Sequence, residues 1–175
     1  MGIDTVKWSD SKRFCAMISI NLDAEFFGRI YYPDIDVTQG DIFRLGRTGM
    51  RFGLPKLLDV LDSYEIKAVF FVPGAVAKLY PREIAAIAGR GHEIGCHGNN
   101  HEILAHMSRE EQEKALTEAT EILSGAAGKP VKGFRMPEGE INKDTYRVLE
   151  ALGYSYSSSL SDDDVPYRRE ETGIL

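Results

Sequence analysis

The sequence predicts an α/β fold with a parallel sheet, because short apolar runs rich in β-branched residues alternate with segments of helical period. The predicted strands are residues 15–22, 67–72, 92–96, 131–136 and 154–158. Helices are predicted from residue 55 onward, at 75–80 and 81–88, from 108 to about 123, and from 142 to about 152. This alternation is compatible with an open sheet and with a closed barrel.

Turn and cap residues mark several helix ends. Pro55 suits the first turn of a helix, and it precedes leucines at helical spacing. Ser108 and Glu111 form a capping-box signature, and Gly125 is predicted to close the helix that they begin. Residues 23–49 show no clear period, so this segment is expected to be functional or partly disordered.

Composition limits the classes of function. The 175 residues are 43% apolar and 27% charged, which is ordinary for a globular protein, so we expect a single domain over residues 1–175. The chain has 21 Lys plus Arg against 27 Asp plus Glu and a formal net charge of −6, with no block rich in Lys and Arg. We therefore expect neither nucleic acid nor a membrane surface as a partner.

The cysteines and the apolar runs predict a cytoplasmic protein. Cys15 and Cys96 form no disulfide framework, which favours a reducing compartment. The first residues contain no continuous apolar core and cannot be a signal peptide, so we expect a soluble, cytoplasmic protein unless a leader was removed. The longest apolar stretch, residues 68–77, is interrupted by Pro73 and Gly74 and is too short to span a bilayer.

All four histidines lie between residues 92 and 106. His97 and His101 are four residues apart in the loop His-Gly-Asn-Asn-His after a predicted strand, and two imidazoles at this spacing can bind one cation. The alternative is a capping or surface pair. His92 and His106 lack such a partner pattern, and we expect His92 at the edge of a strand and His106 on the surface.

Two more motifs follow predicted strands. In Asn21-Leu-Asp23-Ala-Glu25, period-two geometry places the three polar side chains on one face if the strand continues; the alternative is a simple acidic turn. In Arg135-Met-Pro-Glu-Gly, a guanidinium at the strand end can hold a carboxylate, or it is a surface arginine beside a Pro/Gly loop. Active sites of parallel α/β proteins gather at this edge of the sheet.

Together the three motifs resemble, in order and spacing, the polysaccharide deacetylase, or NodB-homology, superfamily of carbohydrate esterases. The resemblance runs from about residue 15 to 167 and includes GHEIGCHGNNHE around the histidines. The stretch SSSLSDDDVPY at residues 157–167 resembles the subgroup of peptidoglycan deacetylases, metal-free allantoinases and cyclic imide hydrolases. The family implies a deformed (β/α) barrel that holds one divalent metal, usually zinc.

The resemblance also implies roles for individual residues. Asp23, His97 and His101 would be the metal ligands, leaving coordination positions for water and substrate. The backbone N–H of Glu138 would stabilise the oxyanion that forms when water attacks an amide.

The chain departs from the family at the general base. Asn21 stands where the family has an aspartate, and a carboxamide cannot accept a proton at neutral pH. Arg135, which would pair with that aspartate, is expected to turn to Glu25, to Glu138 or to an anionic group of the substrate. Glu25 is predicted to replace the base, and Glu138 is the second candidate.

A further departure concerns the C-terminal motifs. The family's Asp-Trp region and its Leu-x-His, whose imidazole is the general acid, have no counterpart, since no histidine follows His106. We therefore expect a truncated chain whose residues do not close the barrel by themselves.

Three functions remain open. The first is a metal-dependent hydrolase of non-peptide C–N bonds that deacetylates an N-acetylated sugar. The second is a small-molecule amidohydrolase acting on a cyclic amide, in which residues 26–49 roof a pocket or pack against another subunit of a homo-oligomer. The third is a non-catalytic, deacetylase-like protein that only binds carbohydrate. Aromatic residues in segments such as 26–49 more often pack than bind substrate.

Overall fold

The computed structural model describes residues 15–29, 31–32, 34–37, 39–139, 141–159, 166–168 and 172–175. Residues 160–165, which include the three aspartates of the SSSLSDDDVPY stretch, lie outside these ranges. No helix in the described ranges combines the length and the apolar character that crossing a membrane requires.

The predicted parallel sheet is confirmed. Its five strands are β1 (Ser19–Asn21), β2 (Val69–Val72), β3 (Glu93–Cys96), β4 (Gly133–Phe134) and β5 (Tyr156–Ser157), which lie side by side in sequence order with every pair parallel. Each strand lies within its predicted range and is shorter than predicted. Single hydrogen bonds continue the pairing beyond the strands, as from the Leu22 N–H to the Phe71 carbonyl oxygen at 2.8 Å.

Helices connect the strands. They are α1 (Arg44–Thr48), α2 (Leu54–Ser63), α3 (Gly74–Leu79), α4 (Pro81–Gly89), α5 (Arg109–Ala127) and α6 (Lys143–Ala151). Short 3₁₀ turns occupy Ala24–Gly28, Asp41–Phe43 and Leu104–His106, and a π-helical turn occupies Gly49–Gly53. A turn that is kinked at Glu138 occupies Pro137–Gly139. The predicted Ser108–Glu111 capping box is present at the start of α5.

The segment 23–49, expected to be functional or partly disordered, has regular structure in its last nine residues. From Asp41 to Ser63 the chain is helical without a break, so Pro55 lies in a helix that has already begun. Phe43 and Met50 anchor this segment, with 0% and 4% of their surface exposed. Burial of these side chains against the rest of the molecule outweighs the weak local period of the sequence.

One aromatic and one basic residue of this segment, Phe43 and Arg47, serve packing, whereas Tyr31 and Tyr32 are 67% and 42% exposed. The Phe43 ring lies edge-on to Phe27 and Tyr32, with centroid distances of 6.1 and 6.4 Å. Arg47 donates to the carbonyl oxygens of Val37 and Gly40, both at 3.2 Å. These contacts support the packing interpretation for Phe43 and Arg47.

The predicted end of α5 at Gly125 is also wrong. The helix continues to Ala127, and Gly128, with φ +68°, is its left-handed cap. A helix can end at the next glycine able to adopt this conformation, and Gly125 remains inside the last turns. Local spacing did not distinguish the two glycines.

The sheet has an apolar face that packs against the helices. Side chains with 2% or less of their surface exposed form this layer, and they belong to one core cluster with residues of α4 and α5: Phe70, Val72, Ile94, Cys96 and Phe134. The opposite face carries Asn21, Phe71 and Gly95 in register. A Cβ on Gly95 would lie 2.5 Å from the Phe71 ring, so glycine is required there.

The sheet curls strongly toward this second face. Arg135, directly after β4, donates to Ser19 Oγ on β1 at 2.9 Å and to Ser158 Oγ just beyond β5 at 2.7 Å. One guanidinium therefore contacts both ends of the five-strand order. Curvature of this kind is what a (β/α) barrel requires.

Candidate metal centre

Asp23, His97 and His101 come together at the carboxyl edge of the sheet. His97 Nε2 lies 3.6 Å from Asp23 Oδ1, and His101 Nε2 lies 3.8 Å from Asp23 Oδ2. One potential ligand atom from each residue lies within 4.8 Å of those of the other two. The predicted ligand set is therefore assembled in one place.

Strand ends position two of these side chains. Asp23 follows β1 by two residues, and its carbonyl oxygen accepts from the Phe26 N–H at 2.7 Å, which starts a 3₁₀ turn. His97 follows β3 directly, and its N–H donates to the Val72 carbonyl oxygen at 3.0 Å. Since β1, β2 and β3 are parallel, their carboxyl ends meet at the same edge.

Buried atoms without partners show that this group suits a cation. Asp23 Oδ1 and His97 Nε2 are both buried and accept no hydrogen bond from the described residues. His97 Nδ1 lies 2.6 Å from the Arg135 carbonyl oxygen, which can only accept, so Nδ1 carries the hydrogen and Nε2 presents its lone pair. Burial lowers the pKa of His97 to about 4, which keeps the imidazole neutral at neutral pH.

The electrostatics of Asp23 also favour a bound cation. Burial is the largest cause of its raised pKa, the nearby His101 opposes the rise, and the Glu138 carboxylate adds to it. The ionised Asp23 is therefore unfavourable here without a positive charge. A divalent cation on its oxygens would supply that charge.

The expectation that Arg135 turns to Glu25 or Glu138 is wrong. Its Nη1 donates to Asn21 Oδ1 at 2.9 Å, and its Nε donates to the Ser158 carbonyl oxygen at 3.2 Å. Asn21 offers an uncharged oxygen to the guanidinium and thus still pairs with it. The family resemblance assigns the contact with Arg135 to an aspartate, and here the amide of Asn21 makes that contact.

Glu25 lies in a different environment from the predicted one. The strand ends at Asn21, and Glu25 belongs to the 3₁₀ turn Ala24–Gly28, so its predicted place on one strand face with Asp23 is wrong. Its side chain is 2% exposed, and its Oε1 accepts from the Tyr80 hydroxyl at 2.5 Å. A backbone turn directly after Asp23 ends the period-two geometry.

Glu138 is exposed, and its carboxylate lies near enough to Asp23 to raise the pKa of that carboxyl group. Its backbone φ is +55°. Among described residues other than glycine, positive φ also occurs at Ala24, His101 and Glu65. Three of these four residues therefore belong to the group of Asp23, His97 and His101 or lie close to it, and strained backbone is often retained at functional positions.

The other two histidines lie apart from this group, as expected. His92 is buried just before β3, where its Nδ1 accepts from the Ala68 N–H at 3.2 Å. His106 is exposed.

Comparison with known proteins identifies the family. The model of a family described as polysaccharide deacetylase matches residues 48–157. The chain belongs to the polysaccharide deacetylase family. Membership confirms the resemblance found in the sequence, and with it the fold class, a deformed (β/α) barrel.

Individual relatives agree with this polysaccharide deacetylase assignment. The chain is 31% identical over 116 residues to a peptidoglycan deacetylase of Helicobacter pylori, covering 66% of this chain and 40% of the relative. A solved Mycobacterium smegmatis structure, assigned as a polysaccharide deacetylase, has a TM-score of 0.84 and 34% identity over 91% of this chain and 56% of that one. Puue allantoinase has a TM-score of 0.81 over 96% of this chain and 63% of its own, and its 20% identity shows the fold alone. The chain spans less than two thirds of each of these proteins.

Sequence patterns did not predict the side-chain contacts of Tyr80 and Glu102. Tyr80 lies 55 residues from Glu25 in the chain, and only the fold brings their side chains together. Glu102 accepts hydrogen bonds from the backbone of the loop between His97 and His101. Its position directly after His101 was the available signal, because a carboxylate there can reach back to preceding amides.

Proposed function

We propose that this chain carries the metal centre of a hydrolase of non-peptide C–N bonds that removes the acetyl group from an N-acetylated sugar. The supporting observation is the group of Asp23, His97 and His101 at the carboxyl edge of a polysaccharide deacetylase fold. Asp23 Oδ1 and His97 Nε2 in this group are buried and have no hydrogen-bond partner among the described residues. The Helicobacter pylori relative is named a peptidoglycan deacetylase, and this name supports an N-acetylated sugar as the substrate class.

Asp23, His97 and His101 would hold the metal. Two imidazoles and one carboxylate are a donor set typical of catalytic zinc, so zinc is the proposed ion. When bound, the ion polarises the amide carbonyl and lowers the pKa of a water molecule. The hydrogen bond from His97 Nδ1 to the Arg135 carbonyl oxygen fixes the ring that would bind it.

Glu138 is the proposed proton acceptor. A general base must contact the attacking water. Glu138 is exposed and its carboxylate raises the pKa of Asp23, whereas Glu25 is 2% exposed and accepts from Tyr80. The backbone N–H of the same residue is the proposed oxyanion donor, as the family resemblance implies.

Activity and metal content together test this proposal. Acetate release from chitooligosaccharides is measured beside hydrolysis of cyclic imides and ureides, which an amidohydrolase of small cyclic amides would favour. We expect acetate release. Turnover of the cyclic substrates alone would contradict the proposal, and sugar binding without turnover would favour the non-catalytic alternative. A cytoplasmic location and a homo-oligomer stay predictions.

Elemental analysis tests the ligands. The wild type should bind stoichiometric zinc, nickel or cobalt, and a variant combining His97→Ala with His101→Ala should lose it. His106→Ala is the matched control because that histidine is exposed and lies outside the group. A wild type that binds none of these ions would overturn the metal assignment.

A further inference from the structure

Hydrogen bonds to its carbonyl oxygens hold the loop between the two proposed histidine ligands, residues 97–101. The Gly98 oxygen accepts from the Gly74 N–H at 3.0 Å, and the Asn99 oxygen accepts from the Ala75 N–H at 2.8 Å. Gly74 and Ala75 are the first residues of α3, whose leading N–H groups have no partner within the helix. The helix therefore holds one side of the histidine loop.

Glu102 holds the other side. Its Oε1 accepts from the Asn99 N–H at 3.1 Å, and its Oε2 accepts from the Asn100 N–H in a short hydrogen bond. Both carboxylate oxygens are thus used on successive amides of the loop. Glu102 is not a member of the ligand group of Asp23, His97 and His101.

His101, which follows the two amides that Glu102 binds, has a strained backbone. His101 has φ +59°, in the left-handed region that side chains other than glycine rarely adopt. Such a conformation persists only where neighbouring contacts determine it. The bonds of Glu102 to the two preceding amides are contacts of this kind, because they fix the path by which the chain enters His101.

We propose that Glu102 is a positioning residue that folds the histidine loop into its ligand-binding shape before the metal arrives. Its carboxylate sets the Asn99 and Asn100 amides and thereby presents the His101 ring toward Asp23 and His97. The inference rests on the proposed metal centre and assigns to Glu102 the preorganisation of one of its ligands. Residues that orient metal ligands typically contribute about 10- to 100-fold to metal affinity.

Cobalt binding by the full chain tests the role. Co²⁺ is titrated into the metal-free protein, and its visible absorption reports both affinity and ligand geometry. We expect Glu102→Ala to weaken binding roughly 10-fold or more and to change the spectrum. Glu118→Ala removes the same charge from an exposed position on α5 and should leave both unchanged.

Two further measurements keep the test independent of misfolding. Glu102→Gln keeps one carbonyl oxygen, so it can accept from only one of the two amides and should show intermediate affinity. Hydrogen exchange at the Asn99 and Asn100 amides of the metal-free protein should be faster in Glu102→Ala than in wild type and Glu118→Ala.

The outcomes separate this inference from the metal assignment. Wild-type cobalt binding that Glu102→Ala changes less than about two-fold, or unchanged exchange at the two amides, would overturn the positioning role alone. A wild type that binds no cobalt would overturn the metal centre and, with it, the role of Glu102 toward the metal.

Discussion

Nη1 of Arg135 donates a 2.9 Å hydrogen bond to Oδ1 of Asn21, so a neutral amide stands where the family resemblance places a base carboxylate. The guanidinium is fixed by further bonds to Ser19 and Ser158 and lies 4.3 Å from the centre of the Phe71 ring. Its position is therefore set by several partners besides Asn21. A carboxylate introduced at residue 21 would meet a guanidinium already in place.

Asn21→Asp should raise the rate of deacetylation. The new carboxylate can accept a proton and can pair with Arg135 through the geometry that the amide now uses. General-base catalysis typically contributes about 10²- to 10⁴-fold by itself, and Glu138 is the proposed base of the wild type, so we expect a gain in kcat below roughly 10², measured as acetate release. Asn21→Ala is the control and should show no gain. An unchanged rate in Asn21→Asp would show that residue 21 does not contact the attacking water.

Glu138→Gln and Glu25→Gln separate the two candidate bases. Gln cannot accept the proton, so Glu138→Gln should lower kcat by about 10² with unchanged metal content. Glu25→Gln keeps an oxygen for the Tyr80 hydroxyl and should affect kcat much less. Equal metal content in both variants is checked by elemental analysis. The opposite order of effects would assign the base to Glu25.

The stability of the metal-free protein should fall as pH decreases below the ordinary histidine range. Burial lowers the pKa of His92 from 6.5, so the unfolded chain takes up a proton more readily than the folded one. The contribution of His92 to the free energy of unfolding is therefore fully present above about pH 6.5 and decreases as pH falls below that value. His97, whose pKa is also lowered by burial, contributes with the same sign.

His92→Asn should reduce this pH dependence. The Asn oxygen can still accept from the Ala68 N–H, but the side chain does not titrate. Denaturant unfolding between pH 7 and pH 5 measures the slope, and His106→Asn at an exposed position is the control. A slope identical to that of wild type would exclude His92 as a source.

The two glycines near the end of α5 should respond oppositely to alanine. Gly128→Ala places a Cβ at φ +68°, which should lower the free energy of unfolding by about 1 kcal/mol. Gly125 lies inside the helix, and an added methyl group would have no described neighbour within 4 Å, so Gly125→Ala should raise it by about 0.5–1 kcal/mol. Thermal unfolding compares the two variants. Destabilisation by Gly125→Ala would instead place the helix end at the predicted position.

Much of the fold follows from local sequence signals. The β-branched runs predict all five parallel strands, and the Ser108–Glu111 capping box correctly marks the start of α5. The group of Asp23, His97 and His101 could also be predicted from the sequence, since Asp23 and His97 follow strands whose carboxyl ends meet at one edge. These features depend on neighbours in the chain or on a general rule of parallel sheets.

Contacts between distant residues needed the tertiary structure. The sequence left Arg135 without its partner and placed Glu25 beside Asp23, whereas the folded chain pairs Arg135 with Asn21 and Glu25 with Tyr80. Each of these contacts joins residues more than 50 positions apart, and its geometry depends on how the sheet curls and where β1 ends. The motifs of the chain specify which groups are available for chemistry. The partners of those groups depend on packing in three dimensions, which local periodicity does not encode.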